Sequence, residues 1–321
     1  MKVDKLSVNK YSEKILDDLV NKSEQYSIVV EQNKTGAWIV DCGINVSGSI
    51  EAGLKVSELC MGGLGSVFLS HSNFSDRINW NISVFSSHPV LSCLASQYAG
   101  WNLKHKKFFS LGSGPARALA QREEIFKKLG YKDKGQKTAI ILEVDTKPPC
   151  EVIEKIYKDC NILPKNLYIF LTPTTSIIGN IQVCSRVLEV GLHKAHEIGF
   201  DISKIKYGFA STPLPPVAQD TLTGMGRTND SIIYGGIVDL AVDMQNSEIM
   251  KSYEKIPSFS AKDYGEPFKN ILKKYNGDFY KIDGSLFSPS KVKINSTITG
   301  ESFFSGSLNI KLVEKSFFNV E

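Results

Sequence analysis

The chain has 321 residues, 42% of them hydrophobic and 22% charged, an ordinary globular usage that excludes a disordered chain and a disulfide-stapled miniprotein. Its net charge of +4, from 38 basic and 34 acidic residues, comes without a dense Lys/Arg block and so lacks the electrostatic footprint of a nucleic-acid binder. The N-terminus has no apolar signal region and no apolar run reaches membrane-spanning length, which predicts a soluble, cytoplasmic protein with no membrane partner; its six scattered cysteines read as free thiols.

In chain order the pattern alternates helix and strand, the mark of an α/β protein. Val8, Tyr11, Ile15 and Leu19 recur at helical spacing after a Ser7 cap. Short strands are predicted at Ser27 to Val30, Ala37 to Val40, Val67 to Ser70 and Trp80 to Phe85, with a helix from Ser49 to Met61 between them. His88-Pro89 opens an apolar segment to Tyr98. Pro115 to Leu129 reads as one helix with Pro at its first turn and Gly130 at its end. Lys132 to Gly135 is the best linker, dividing the chain into an N-terminal α/β domain, 1–135, and a C-terminal one, 136–321, with the last strands as candidates to pack back on the first domain. Thr138 to Val144, Glu151 to Cys160 and Leu167 to Leu171 form a βαβ unit. One long helix from Ser176 to Gly199 follows, then a strand near Ile205, a Pro-rich loop at Thr212 to Pro216, a long β pattern from Ser231 to Met244, a helix near Pro267 to Tyr275, and short strands from Phe279 onward.

Two features carry candidate chemistry. Gly112-Ser113-Gly114-Pro115-Ala116-Arg117 sets glycines before a helix start, where backbone N–H groups and Arg117 could hold an anion; a tight turn is the plainer reading. On the long helix, Gln182, Arg186, Glu189 and His193 fall at i, i+4, i+7 and i+11 opposite an apolar stripe of Ile181, Cys184, Leu188, Leu192 and Ala195. That stripe is either a solvated face or a cleft lining with a guanidinium beside a carboxylate. Glu189, His193 and His196 could also face a metal, with His88 or His71 as further ligands, although the spacing is not H-E-x-x-H. No G-x-S-x-G nucleophile elbow occurs.

Specific strings narrow the reading. SVNK (7–10), DCGINVSGSIEAG (41–53), ELCMGGLG (58–65), SHPVLSCLASQYAGW (87–101), GSGPARALA (112–120), PTTSIIGNIQVCSRVLEVGLHKAHEIGFD (173–201), TPLPPV (212–217), TNDSIIYGG (228–236), DYGEPF (263–268) and DFYKID (278–283) stand in order. With these strings the chain resembles the methenyltetrahydromethanopterin cyclohydrolases along almost its whole length. The resemblance implies two α/β domains with a ligand cleft between them, a cytoplasmic homotrimer, and neither metal nor cofactor. It also implies the reaction, in which water opens the methenyl bridge of a tetrahydromethanopterin to the N5-formyl compound, a step of one-carbon metabolism found in methanogenesis. Catalysis falls to an arginine and a glutamate three residues apart, here Arg186 and Glu189. Ser47 and the Phe209-Ala210-Ser211 segment depart from the usual pattern without touching that pair.

The chemistry suits the polar stripe. The methenyl bridge is an amidinium-like cation, so the enzyme needs a positioned water, a base for its proton and a proton for the departing nitrogen. Glu189 is the expected base and Arg186 its orienting partner; Gln182, Gly112, Ser113 and Gly114 are the expected substrate contacts. The competing readings are a metal-dependent amidohydrolase using Glu189, His193 and His196, and a non-catalytic pterin-binding protein.

Overall fold

The structure, a computed structural model, describes residues 6–278 and 281–318. Its elements begin with α1 (Val8–Asn21), β1 (Val29–Gln32), β2 (Trp38–Asp41), α2 (Ile50–Cys60), β3 (Ser66–Ser75) and β4 (Ile78–Ser86). A π-helical segment (Val90–Gln97) leads to β5 (Trp101–His105), β6 (Phe108–Ser113), α3 (Ala116–Ala120) and α4 (Ile125–Leu129). Then come β7 (Thr138–Leu142), α5 (Cys150–Cys160), β8 (Leu167–Leu171), α6 (Ile177–Cys184) and α7 (Val187–Glu197). The chain continues through β9 (Ile205–Pro213), α8 (Thr221–Gly235), β10 (Ile237–Val242), α9 (Asn246–Ile249) and α10 (Phe268–Lys274), and closes with β11 (Lys291–Ser296), β12 (Ser302–Gly306) and α11 (Ile310–Phe318).

Two compact units result. The first takes the chain up to Ser66 and Leu91–Gln182; the second takes Val67–Val90 and everything from Val183 on. A single cut near residue 135 does not describe this division. β7 and β8, which lie beyond that cut, are hydrogen-bonded into the first unit's sheet through β6 and β2, and the β3–β4 hairpin, which lies before it, is bonded into the second unit's sheet through β9. Backbone pairing, which must be satisfied somewhere, assigns each segment to its unit.

The first unit's sheet runs β1-β2-β8-β7-β6-β5, with β2, β8 and β7 mutually parallel and the outer strands antiparallel. Its central strands are apolar on both faces because both faces are covered. Ile140, Leu142 and Ile169 pack with Val152, Ile153 and Ile156 of α5, while Ala139, Ile141 and Phe170 pack with Leu16 and Leu19 of α1 and Val56 and Leu59 of α2. At the end of β2 the buried Asp41 accepts from the backbone of Gly43 (3.0 Å), Ile44 (2.7 Å) and Asn45 (3.0 Å). Burial works to raise its carboxyl, but these donors and the Asn45 amide win and hold it below the usual range.

The second unit's sheet runs β12-β11-β10-β9-β4-β3, antiparallel except for the parallel β10–β11 pair. Here the strands alternate as a one-sided sheet should. Ile82, Val84, Ala210, Val238, Leu240, Val292 and Ile294 are buried, whereas Phe85, Tyr207, Phe209 and Phe304 are exposed. α7 approaches closely because two contacts are glycine. A Cβ on Gly191 would lie 3.1 Å from Val238, and one on Gly208 would lie 2.8 Å from Leu188. A further core joins Ile233 and Tyr234 of α8, Phe268, Ile271 and Leu272 of α10, and Val313 and Phe317 of α11.

Several elements differ from the sequence expectation. β5 and β6 form a hairpin that the pattern did not announce. The predicted helix over 115–129 is two short helices, because Gln121 turns left-handed at φ 52. The β pattern over 231–244 begins only at Ile237; Ser231 to Gly235 close α8, whose start is capped by Asp220, accepting from Thr223 N at 2.8 Å. β-branched residues in a helix are tolerated where they are buried, as Ile232 and Ile233 are. Of the strands expected from Phe279 onward, Phe279 itself lies outside the described residues, β11 and β12 follow, and α11 was unforeseen. All six cysteines are free, five of them buried. No helix among the described residues is long and apolar enough to cross a membrane.

Candidate active site

The long helix of the sequence reading is interrupted. α6 ends at Cys184 and α7 starts at Val187, with Arg186 (φ −77°, ψ −1°) in the capping position of α7; Arg186 N bonds Val183 O at 3.0 Å and Arg186 O accepts from Val190 N at 2.9 Å. The wheel that aligned Gln182 with Arg186 spans this interruption, so the four-residue stripe does not carry across it. Gln182 is buried in α6 and ends the first unit's second segment, whereas Arg186, Glu189, His193 and His196 belong to α7 and the second unit.

The remaining pair gains from the break. Glu189 sits in the first turn of α7, where the helix dipole favours a negative charge, and Arg186 occupies the N-cap position three residues earlier, with no side-chain capping bond. Glu189 is two residues from Gly191, the sheet contact, and so points away from the sheet, yet it is 3% exposed. Such a carboxylate is not part of a solvated face. Arg186, His193 and His196 are half-buried.

Lys194 was passed over in the sequence because it lies among apolar positions of the wheel. It is buried in α7, and burial pushes its ammonium below the usual lysine range against the opposing charges of Asp283 and Glu197. A lysine within an apolar stripe was the available signal. Among the described residues no three His, Cys, Asp or Glu side chains gather in a group that could hold a metal ion, so Glu189, His193 and His196 do not form the ligand set considered above.

The glycine segment has a different arrangement from an anion cradle. Gly112 and Ser113 end β6 in register with Leu142 and Ile141, and Gly114 N donates to Ser96 O at 2.8 Å. Ser113 Oγ donates to Gln97 O and lies 3.0 Å from Cys60 Sγ. Gly114 has φ +102°, and a Cβ there would come within 2.7 Å of Ile141; this is a tight turn. Arg117, expected beside an anion, is fully buried and committed elsewhere. Its Nη2 donates to Glu123 Oε1 (2.6 Å), its Nε to Glu123 Oε2 (2.9 Å), and its Nη1 to Leu94 O (3.1 Å) and Ser96 O (2.9 Å). The guanidinium thus clamps the end of the π-helical segment.

Other shared strings are also architectural. Asp230 of TNDSIIYGG accepts from Phe268 N (2.8 Å) at the start of α10, and Tyr234 OH accepts from Gly265 N (3.2 Å) and donates to Glu266 O (2.7 Å), tying α8 to DYGEPF.

Two mixed-sheet α/β units, the second presenting an arginine and a buried carboxylate on one helical turn, define the class: a two-domain α/β protein with an arginine and a buried glutamate at the start of one helix. A family model described as "Cyclohydrolase (MCH)" matches residues 7–317. The chain is 48% identical over 311 residues to the methenyltetrahydromethanopterin cyclohydrolase of Methylobacillus flagellatus, covering 97% of this chain and 95% of the relative. The proteins of the same name from Methylobacterium organophilum (43% over 315 residues, 97% of each chain) and Methanospirillum hungatei (42% over 313 residues, 97% and 99%) are similarly related. The chain belongs to this family of cyclohydrolases, and it is an enzyme.

Proposed function

We propose that the protein hydrolyses N5,N10-methenyl-tetrahydromethanopterin reversibly to the N5-formyl compound, with Glu189 as the base and Arg186 as its orienting partner. The observation that carries the residue assignment is the burial of Glu189 at the positive end of α7, one turn from Arg186. A carboxylate in that position lies favourably toward an amidinium-like cation and accepts a proton from the attacking water. The water oxygen bonds to the methenyl carbon; the bond from that carbon to N10 then breaks, its electron pair going to N10. Of the two water protons one ends on N10 and one is released, so the cationic substrate gives a neutral formyl product. Arg186 holds the carboxylate toward the water, and Gln182 is assigned to the amide-rich edge of the pterin.

The same reading makes the enzyme a cytoplasmic homotrimer that needs no cofactor. Its test is turnover: purified protein mixed with the methenyl substrate should remove the near-ultraviolet absorption of the bridge. Binding of that substrate without turnover would leave the non-catalytic pterin-binding reading in its place.

A further inference from the structure

The proposed reaction leaves a proton behind. Each hydration of the methenyl carbon puts a water proton on Glu189, and the carboxylate must lose it before the next turnover. Glu189 is 3% exposed, so bulk water has little access to it. The sheet side of α7 offers no exit. The strands packed there are β4, β9 and β10, and their buried face carries Ile82, Val84, Gly208, Ala210, Val238 and Leu240, none of them titratable. Asp239 of β10 pairs with the exposed Phe209 on the outer face, and Lys206 of β9 is exposed and bound to Asp243 at 3.0 Å.

The other face of α7 does offer an exit. Four residues advance a helical side chain by about 40° and seven return it to within about 20°, so His193 and His196 follow Glu189 on one face, one and two turns on. Cβ atoms at i, i+4 are about 5–6 Å apart, close enough for a carboxyl and an imidazole to meet. Both histidines are half-buried and so reach solvent where Glu189 does not. Lys194, the other basic residue of this stretch, lies about 140° round the helix from Glu189. The dipole of α7 favours the transfer in the needed sense, since it stabilises a carboxylate in the first turn and an imidazolium in the last, which holds His196. An imidazole ionises near neutrality, so it takes up and gives up a proton with comparable ease, as a reaction running in both directions requires.

We infer that His193 relays the proton between Glu189 and solvent, with His196 as the next stop. The inference rests on Glu189 being the base. The O–H bond of the Glu189 carboxyl breaks, the proton bonds to the unprotonated ring nitrogen of His193, and the imidazolium passes it through His196 to water; the same steps in reverse supply the proton that formyl-group cyclisation consumes. The test is steady-state kinetics of His193→Ala at fixed pH and ionic strength, with and without added imidazole. The relay follows product formation, so kcat should fall by about 10², the low end of general acid–base help, while kcat/KM stays near the wild-type value. Imidazole should restore kcat in proportion to its concentration. Glu189→Gln should lose kcat and kcat/KM together and gain nothing from imidazole. Folded His193→Ala with wild-type kcat overturns the relay and leaves Glu189 in place. A joint loss of kcat and kcat/KM that imidazole does not repair overturns it too, because a packing or substrate-contact role behaves that way. Should the alanine variant misfold by circular dichroism, His193→Gln, which keeps a hydrogen-bonding tip without a titrating nitrogen, is read by the same criteria. Wild-type kcat in Glu189→Gln removes the base, and the relay with it.

Discussion

Glu189 carries the chemical reading, and its replacement separates catalysis from architecture. Glu189→Gln keeps shape and hydrogen bonding but removes the proton acceptor, so kcat should fall by about 10² to 10⁴ with KM changing less and circular dichroism unchanged. Arg186→Ala should be nearly as severe, and the double variant little worse than either single one, because the two side chains act as a unit; steady-state kinetics of the four proteins check both statements. Near-wild-type turnover in folded Glu189→Gln would remove it from the mechanism. Asp230 is a second informative residue, for stability. Burial raises its carboxyl from 3.8 to about 7, against the hydrogen bonds from Ser316 and Phe268 N that work to lower it. Between those two values the unfolded chain has lost the proton and the folded chain keeps it, so stability should fall as pH rises through this window and level off above it. At about 1.4 kcal/mol per pH unit the full effect is on the order of 4 kcal/mol. Asp230→Asn, which retains an acceptor for Phe268 N, should flatten that slope in urea midpoints taken from about pH 4 to about pH 8; an unchanged slope would count against it.

At the scale of elements, the interruption between α6 and α7 decides more than any helix does. A continuous helix would have put Glu189 in mid-helix; the break makes it a first-turn residue and gives it the dipole of α7. Nothing local announces the break, since Cys184-Ser185-Arg186 contains neither Gly nor Pro. It falls where the chain passes from one unit to the other, after Gln182. The π-helical segment is held as distinctively, by Arg117 on the carbonyls of Leu94 and Ser96. Arg117→Met should therefore cost about 3 to 5 kcal/mol, because it strands the Glu123 carboxylate as well as the two carbonyls. Urea unfolding would show it, and a loss below about 1 kcal/mol would mean the clamp is a surface pair in energetic terms.

For the whole molecule, the reading requires activity without a bound metal: chelator-treated, metal-free enzyme should retain full turnover, and activity lost and then restored by Zn²⁺ would return the amidohydrolase reading. The family, the α/β class, the βαβ unit from β7 to β8 and the neighbouring positions of Arg186 and Glu189 were all legible in the chain, because each rests on residue order or on periodicities of two and 3.6 that local geometry imposes. Elements whose local pattern is ambiguous were not. The β5–β6 hairpin carries lysines and a histidine at its turn in place of a Gly or Asn signal, and α8 ends in a Ser-Ile-Ile-Tyr run that favours strands until burial overrides it. The commitment of Arg117 to Glu123, the burial of Glu189 and the depressed ammonium of Lys194 were out of reach for a different reason. Each depends on what lies against a side chain in space, and contacts between residues far apart in the chain leave no periodic trace in one sequence. The same holds for the division into units: residue order places β3 and β4 early and β7 and β8 late, but hydrogen-bond pairing between distant strands decides which sheet each one joins.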